Sequence, residues 1–221
     1  MVPTLRSVID KAHVRPLEVL VVYDFDEDTT VPVVKRLAPE LPELRLQKNT
    51  LGRGVLNAMK SGLRAARAPY VLVTMGDGSD DPGDIDPMYE LARAGADVVA
   101  GSRYMRGGRQ LGGPLLKRTM SRVAGLSLHW LGGVPVHDAT SNYRLYSKRL
   151  LNQVTIESTG GFELGIELTV KAHLLGMRVA EVPTTWRDRT AGQSRFRLWQ
   201  WLPRYLRWYW RGITGKLGGR R

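Results

Sequence analysis

Two acidic clusters stand out in this 221-residue chain, each directly after an apolar run. The run Val71–Met75 stops at Gly76, and Asp77, Gly78, Ser79, Asp80 and Asp81 follow before Pro82. Its length and β-branched content predict a buried strand. Acids beyond the C-terminal end of such a strand occupy the place where open α/β sheets bind ligands. Carboxylates there suit a hard divalent cation shared with a substrate diphosphate. Asp, Gly, Ser and Pro are also ordinary turn formers, so this stretch alone leaves both readings open. The second cluster, Asp24, Asp26, Glu27 and Asp28, follows Leu17–Tyr23. By itself it reads as a solvated turn, with Thr29 or Thr30 capping the next helix.

Basic residues recur at comparable places. Gly101-Ser102-Arg103-Tyr104 follows a strand, and a glycine-rich loop from Arg106 to Gly113 comes next. Pro114 to Leu131 reads as a helix with proline at its start. Lys117, Arg118, Ser121 and Arg122 recur near its N-terminus, a cationic face suited to a phosphate or simply to solvent. Asn49, Gly52 and Gly54 precede another helix; a Gly-x-Gly there can bring backbone N–H groups to a phosphate, although an ordinary loop has the same composition. His137 has no second ligand at metal spacing.

The elements that must position these groups alternate. Helix 1–12, strand 17–23, a second helix, strand 43–47, helix 55–66, strand 71–75, helix 85–93 and strand 96–100 predict a mostly parallel sheet covered by helices. A helix over 164–175, a strand over 179–185 and a basic loop, Thr190 to Arg195, follow. From Phe196 to Trp210, Trp199, Trp201, Trp208 and Trp210 interleave with tyrosines and arginines. A helix too short and too charged to span suits the headgroup level of a bilayer, and packing of the aromatics on the domain is the alternative. The close alternation of Arg and Trp favours the membrane surface.

Composition narrows the partners. A formal net charge of +12 implies an anionic partner. There is no cysteine, hence no disulfide framework or thiolate metal site. No apolar run approaches the roughly 20 residues of a membrane span. No signal peptide, repeat or low-complexity segment is visible. Signatures of nucleic-acid binding are missing, so no nucleic-acid partner is expected.

In their order, these motifs resemble family 2 glycosyltransferases of the GT-A fold. The resemblance is to the branch of dolichol-phosphate mannosyltransferases and bacterial polyprenyl-phosphate glycosyltransferases, and it runs from Leu17 to Arg195. Tyr23 to Thr29 stands where the family has Asp-Asp-Gly-Ser-x-Asp-Gly. Asn49, Gly52 and Gly54 match Asn-x-Gly-x-Gly. Met75-Gly76-Asp77 stands at the metal motif Asp-x-Asp. Gly101 to Tyr104 matches Gly-Ser/Thr-Arg-Tyr. Asp138 to Arg144 resembles Asp-x-Thr-Ser-Gly-Phe-Arg, and Glu167 matches a Glu of the following helix. Arg189-x-x-Gly192-x-Ser194-Arg195 looks like the element that closes on the diphosphate. The family opens with a strand ending in Tyr-Asn-Glu. This chain starts on a helix, so a short sequence or an incomplete base pocket is expected. Met75 replaces one acid of the metal motif and Tyr23 another acid.

The resemblance implies an α/β GT-A (Rossmann-like) domain over 1–195. Residues 196–221 follow as an amphipathic, basic, Trp-rich interfacial tail. It implies metal-dependent, inverting transfer of mannose or glucose from a nucleotide sugar, GDP-mannose or UDP-glucose, to polyprenyl phosphate. Arg103, Arg118 and Ser121 would hold the acceptor phosphate. Asp77, with Ser79, would hold Mg²⁺ or Mn²⁺. Asp24, Asp26, Asn49, Gly52, Gly54, Arg189, Ser194 and Arg195 would hold the nucleotide diphosphate. The expected location is peripheral, at the cytoplasmic face of a membrane. Two alternatives stay open: a soluble acceptor with Asp138 as general base, and a non-catalytic nucleotide or lipid-phosphate binder.

Overall fold

The structure is a computed structural model that describes residues 1–188 and 198–215, with side chains from 202 onward in the second segment. The elements, in order, are α1 (Val2–Lys11), β1 (Val19–Tyr23), α2 (Thr30–Leu37), β2 (Leu44–Lys48), α3 (Val55–Ala65) and β3 (Tyr70–Val73). A short 3₁₀ turn (Pro82–Asp84) leads into α4 (Ile85–Arg93), then β4 (Val98–Ser102), β5 (Arg109–Leu111) and α5 (Leu115–Gly132). The chain continues with β6 (Arg144–Ser147), α6 (Lys148–Gln153), α7 (Leu164–Leu174), β7 (Val179–Pro183), β8 (Thr185–Arg187) and α8 (Leu198–Thr214).

The four-stranded sheet has the order β3-β6-β4-β7. β4 and β7 are parallel, and β6 is antiparallel to both of its neighbours. β3, β4 and β7 therefore end on the same edge, and the segment entering β6 arrives there too. That places residues 74–81, 103–104, 138–143 and 184–188 together. The expected α/β architecture is present, but β6 corrects one detail: the 137–146 stretch ends in a strand rather than leading straight into a helix.

Both faces of this sheet are covered, and side-chain alternation along each strand divides them. Val98, Ala100 and Tyr146 face a core shared with Leu56 and Leu63 of α3, Leu128 of α5 and the buried stretch of α7. Val99 and Leu145 point the other way, onto Met88 and Ala92 of α4. β1 and β2 form a separate parallel pair, in register Val19↔Leu44 to Tyr23↔Lys48. Side chains join this pair to the main sheet. Val8 of α1 and Ala12 just after it pack against Val19 of β1 and Leu72 of β3, and Gly62 of α3 sits against Val22.

α8 lies on α5 and α7. Trp208 is only 1% exposed, and Tyr205, Tyr209 and Ile213 pack against the same core. The expectation that Arg and Trp alternate too closely for one clean apolar face is corrected here. Tyr205, Trp208, Tyr209 and Gly212 recur at three- and four-residue spacing, which is one side of a helix. Gly132 and Gly212 let the helices meet: a Cβ on Gly212 would lie 2.7 Å from Leu128 Cδ1. Arg207 and Arg211 bond Glu157 at 2.7 and 3.1 Å. Arg211 also stacks over Trp208. Two of the arginines expected to meet lipid therefore tie the helix to the domain. Leu206 and Trp210 remain exposed. Among the described residues, no helix is long and apolar enough to cross a membrane.

Candidate active site

A cavity of about 470 Å³ opens where the three parallel strands end, lined by Asp77, Ser79, Asp80, Arg103, Lys117, Ser121, Thr140, Trp186 and Asp188 among others. Its cationic wall is built on Arg103, the first residue after β4. The Arg103 side chain is 12% exposed and that of its partner Asp138 is fully buried. Asp138 Oδ2 accepts from Arg103 Nε at 2.6 Å, and Oδ1 accepts from Nη2 at 3.0 Å. The same carboxylate accepts from the backbone N–H groups of Thr140 and Ser141 and from the Thr140 hydroxyl. Burial opposes its charge, but the Arg103 guanidinium and these donors outweigh burial and hold the carboxyl below its ordinary range. A carboxylate so buried and so fully engaged does not suit a general base, which must reach the proton it removes.

Arg103 Nη2 also donates to Ser121 Oγ at 3.2 Å and to Thr140 Oγ1 at 3.0 Å. Tyr104 Oη lies 2.9 Å from Ser121 Oγ, and the Tyr104 ring stacks under the Arg103 guanidinium. Ser121 reaches this knot because α5 lies directly on the 137–139 segment. Any Cβ at Gly125 would collide with the His137 carbonyl oxygen.

The helix also decides which basic residue joins Ser121. Residues four apart share a face, and each step of one turns by about 100°. Lys117 lines the cavity with Ser121, whereas Arg118 lines a different cleft. Arg118, expected beside Arg103 and Ser121, thus lies on the neighbouring cleft, and Lys117 is the basic residue of α5 on the Ser121 side. The i, i+4 spacing of Lys117 and Ser121 was the available sequence signal.

The acidic wall follows β3. Asp77 Oδ1 accepts from the Ser79 N–H at 3.1 Å, a local turn that aims the carboxylate. Ser79 is 3% exposed and its carbonyl accepts from Arg187 N–H. Asp80 Oδ2 accepts from Thr74 Oγ1 and Met75 N–H at 3.1 and 3.0 Å. Burial pushes Asp80 up to about 6 despite these bonds, with the Asp77 charge adding to the rise. Asp81 caps the 3₁₀ turn through Gly83 N–H. Among the described residues, no three acidic or imidazole groups converge to form a complete metal cage. The donor set nonetheless fits Mg²⁺ or Mn²⁺. Such ions keep water and substrate phosphate oxygens and need only one or two carboxylates, and Asp77 is an oxygen donor on the cavity wall.

The expected nucleotide residues split. Asp24, Asn49, Gly52 and Gly54 form one knot after β1 and β2. Asn49 Nδ2 donates to Asp24 Oδ1 and to the Gly52 carbonyl, both at 2.7 Å, and Gly54 N–H donates to Asp24 Oδ2 at 2.9 Å. Gly54 has φ +121°, open only to glycine. Asp26 stands apart, exposed and paired with Lys48. Arg189, Ser194 and Arg195 lie outside the described residues. Glu167, fully buried, accepts from the N–H groups of Glu157 and Ser158 and so fixes the loop before α7. His137 pairs with Glu181 rather than with a metal-ligand set.

Comparison with known proteins shows the family and the fold. The family model described as glycosyl transferase family 2 matches residues 1–155. The polyprenol monophosphomannose synthase of Mycolicibacterium smegmatis is 34% identical over 187 residues, covering 81% of this chain and 70% of that protein. The undecaprenyl-phosphate mannosyltransferase of Micrococcus luteus is 29% identical over 213 residues, covering 91% and 87%. Among solved structures, a mannosyltransferase from Pyrobaculum calidifontis in complex with GDP-Man and Mn²⁺ superposes with a TM-score of 0.62 at 17% identity. The match covers 99% of this chain but 61% of that one, and it speaks to the fold. Motif order and the family match over most of the chain agree: the chain is a glycosyltransferase and belongs to glycosyl transferase family 2.

Proposed function

We propose that this enzyme transfers mannose from GDP-mannose to a polyprenyl phosphate, with inversion at the anomeric carbon. The observation that carries the reading is the cationic wall of Arg103, Lys117 and Ser121 facing Asp77 across one cavity. Relatives named for mannosyl transfer to polyprenyl phosphates support the acceptor and favour mannose over glucose. The GDP-Man and Mn²⁺ of the Pyrobaculum complex support the donor and the ion.

A phosphate monoester has its second pKa near 6, so it is already a nucleophile at neutral pH. No general base is needed, which fits the engaged state of Asp138. Arg103 and Lys117 orient the phosphate by charge-assisted hydrogen bonds, and Ser121 adds a hydroxyl. A phosphate oxygen attacks the anomeric carbon as the bond from that carbon to the donor diphosphate breaks. The electron pair leaves on GDP, and the product is a mannosyl phosphodiester. Asp77 would hold Mg²⁺ or Mn²⁺, which when bound neutralises charge on the leaving diphosphate. The apolar walls Met120, Ala124, Phe162 and Leu202 suit the first isoprene units. The exposed Trp130, Leu131, Leu206 and Trp210 would rest on the membrane, at its cytoplasmic face.

The test is incubation with labelled GDP-mannose or UDP-glucose, polyprenyl phosphate and Mn²⁺. Labelled lipid from GDP-mannose is the expected product. Met75 on the cavity wall, in place of an acid, favours a binding-only reading. Retained binding of polyprenyl phosphate with no labelled lipid from either donor would select it.

A further inference from the structure

Arg103 separates the active-site cavity from a second cleft of about 440 Å³. Arg106 and Arg109 enter it from the β4–β5 segment, and Arg118 and Arg122 from α5. All four are exposed. Among the described residues, none of them has an acidic partner or a side-chain hydrogen bond, whereas Arg6, Arg67, Arg103, Arg149 and Arg207 are each paired with a carboxylate. The concentration of unpaired charge is built into the fold. Arg118 and Arg122 are one turn apart on α5. Arg109 is held in register with Thr185 by the β5–β8 pairing. Gly108 lies so close to β4 that a Cβ there would strike the Ser102 carbonyl. Four guanidinium groups lining one cleft give it a positive potential that attracts an anion.

The rim points to the kind of anion. Leu111 lines the cleft. Leu115, at helical spacing from Arg118 and Arg122, is 77% exposed, and Leu116 beside it is 63% exposed. A soluble phosphate ester has no use for leucines at the mouth of its site. A bilayer has: phosphates sit at the level of the guanidinium groups and acyl chains at the level of the leucines.

We propose that the cleft formed by Arg106, Arg109, Arg118 and Arg122 is a headgroup site for an anionic phospholipid of the bilayer, distinct from the acceptor position at Arg103, Lys117 and Ser121. It does not depend on the transferase reading, because it concerns equilibrium binding without donor or acceptor.

The test is co-sedimentation of the full chain with phosphatidylcholine vesicles, with and without phosphatidylglycerol. Binding is expected to require phosphatidylglycerol. One basic residue at an anionic surface is worth roughly fivefold in partitioning, so R106Q/R109Q/R122Q should lose on the order of 100-fold. The charge-matched control K35Q/R36Q/R64Q, on exposed parts of α2 and α3, should lose less than about fivefold by the same scale. L115S/L116S should also weaken binding, at unchanged net charge. Equal losses in the two charge variants would mean diffuse attraction and overturn the proposal, as would indifference to phosphatidylglycerol. So would binding to neutral vesicles that appears only with polyprenyl phosphate and is lost in the cleft variant, because the cleft would then belong to the acceptor site. Tight binding of glycerol 3-phosphate without vesicles would assign the cleft to a soluble ester instead.

Discussion

Asp138 grips Arg103 through both of its oxygens, Oδ2 to Nε at 2.6 Å and Oδ1 to Nη2 at 3.0 Å. The carboxylate is fully buried and does not line the cavity, and its two bonds fix the orientation of the Arg103 guanidinium. Removing one partner of a buried pair typically costs about 3–5 kcal/mol, because the other charge stays buried. Asp138→Asn should therefore unfold at lower urea by about that free energy. Arg103→Lys keeps the charge but cannot form the two-pronged contact. It should raise KM for polyprenyl phosphate by at least about tenfold, the loss expected for one charge-assisted bond, with little change in KM for the donor.

The cationic residues of α5 divide by face, and kinetics can read the division. Lys117→Ala removes a charged group from the acceptor side and should raise KM for polyprenyl phosphate on the order of 10–100-fold. Arg118→Ala changes the other cleft and should move KM by less than about threefold in detergent, where surface charge contributes little. A larger effect from Arg118 than from Lys117 would reverse the assignment.

The family and the α/β alternation were legible in the sequence because residues 24–28, 77–81 and 103–104 each follow an apolar strand, and of the expected residues Asp77, Ser79, Arg103 and Ser121 meet at one cavity. What was not legible depends on packing. Arg144–Ser147 is too short and too polar to read as a strand, yet all four residues are buried between β3 and β4. Arg144 is satisfied there by the Thr169 hydroxyl and the carbonyls of Ser141 and Asp138. β5 and β8, three residues each, exist only as each other's partner. The resemblance points to Arg118, whereas the phase of α5 puts Lys117 on the Ser121 side. In α8 the arginines read as facing a membrane surface because their partner, Glu157, is about fifty positions away in sequence.

The proposed function has Asp77, on the cavity wall, share an ion with a nucleotide diphosphate. Chelation with EDTA should abolish transfer, and Mn²⁺ should restore it. Asp77→Asn should weaken Mn²⁺ binding in the presence of GDP-mannose, read by the loss of the free-ion EPR signal, and lower kcat/KM by about 100-fold or more, the scale of an electrostatic contact made at the leaving group. Normal Mn²⁺ binding by this variant would move the ion to another ligand.

Asp80 makes stability depend on pH in the metal-free protein. Its folded pKa of about 6 lies above the reference value of 3.8. Below about pH 4 the group is protonated in both states and contributes no penalty. Between 4 and 6 the unfolded chain releases its proton first, so stability falls as pH rises, and above 6 the loss is complete. The shift corresponds to about 3 kcal/mol. Asp80→Asn keeps an acceptor for Thr74 and Met75 and should flatten the profile between pH 4 and 6 in urea titrations. An unchanged slope would place the titrating group elsewhere.

The last helix is part of the core as well as a surface. Trp208 packs among residues of α5 and α7, with Lys171 and Arg211 stacked on its ring. Truncating a buried aromatic typically costs about 3–5 kcal/mol. For a chain of this size, Trp208→Ala should lower Tm on the order of 10 °C. Trp210→Ala, on the exposed side, should leave Tm within about 2 °C, the range of a surface substitution. Leu202 and Tyr205 of the same helix line the active-site cavity. Loosening α8 should therefore also raise KM for polyprenyl phosphate at temperatures where the protein is still folded. Equal thermal stability of the two tryptophan variants would show that α8 is only peripheral, and its place in the cavity wall would fall with it.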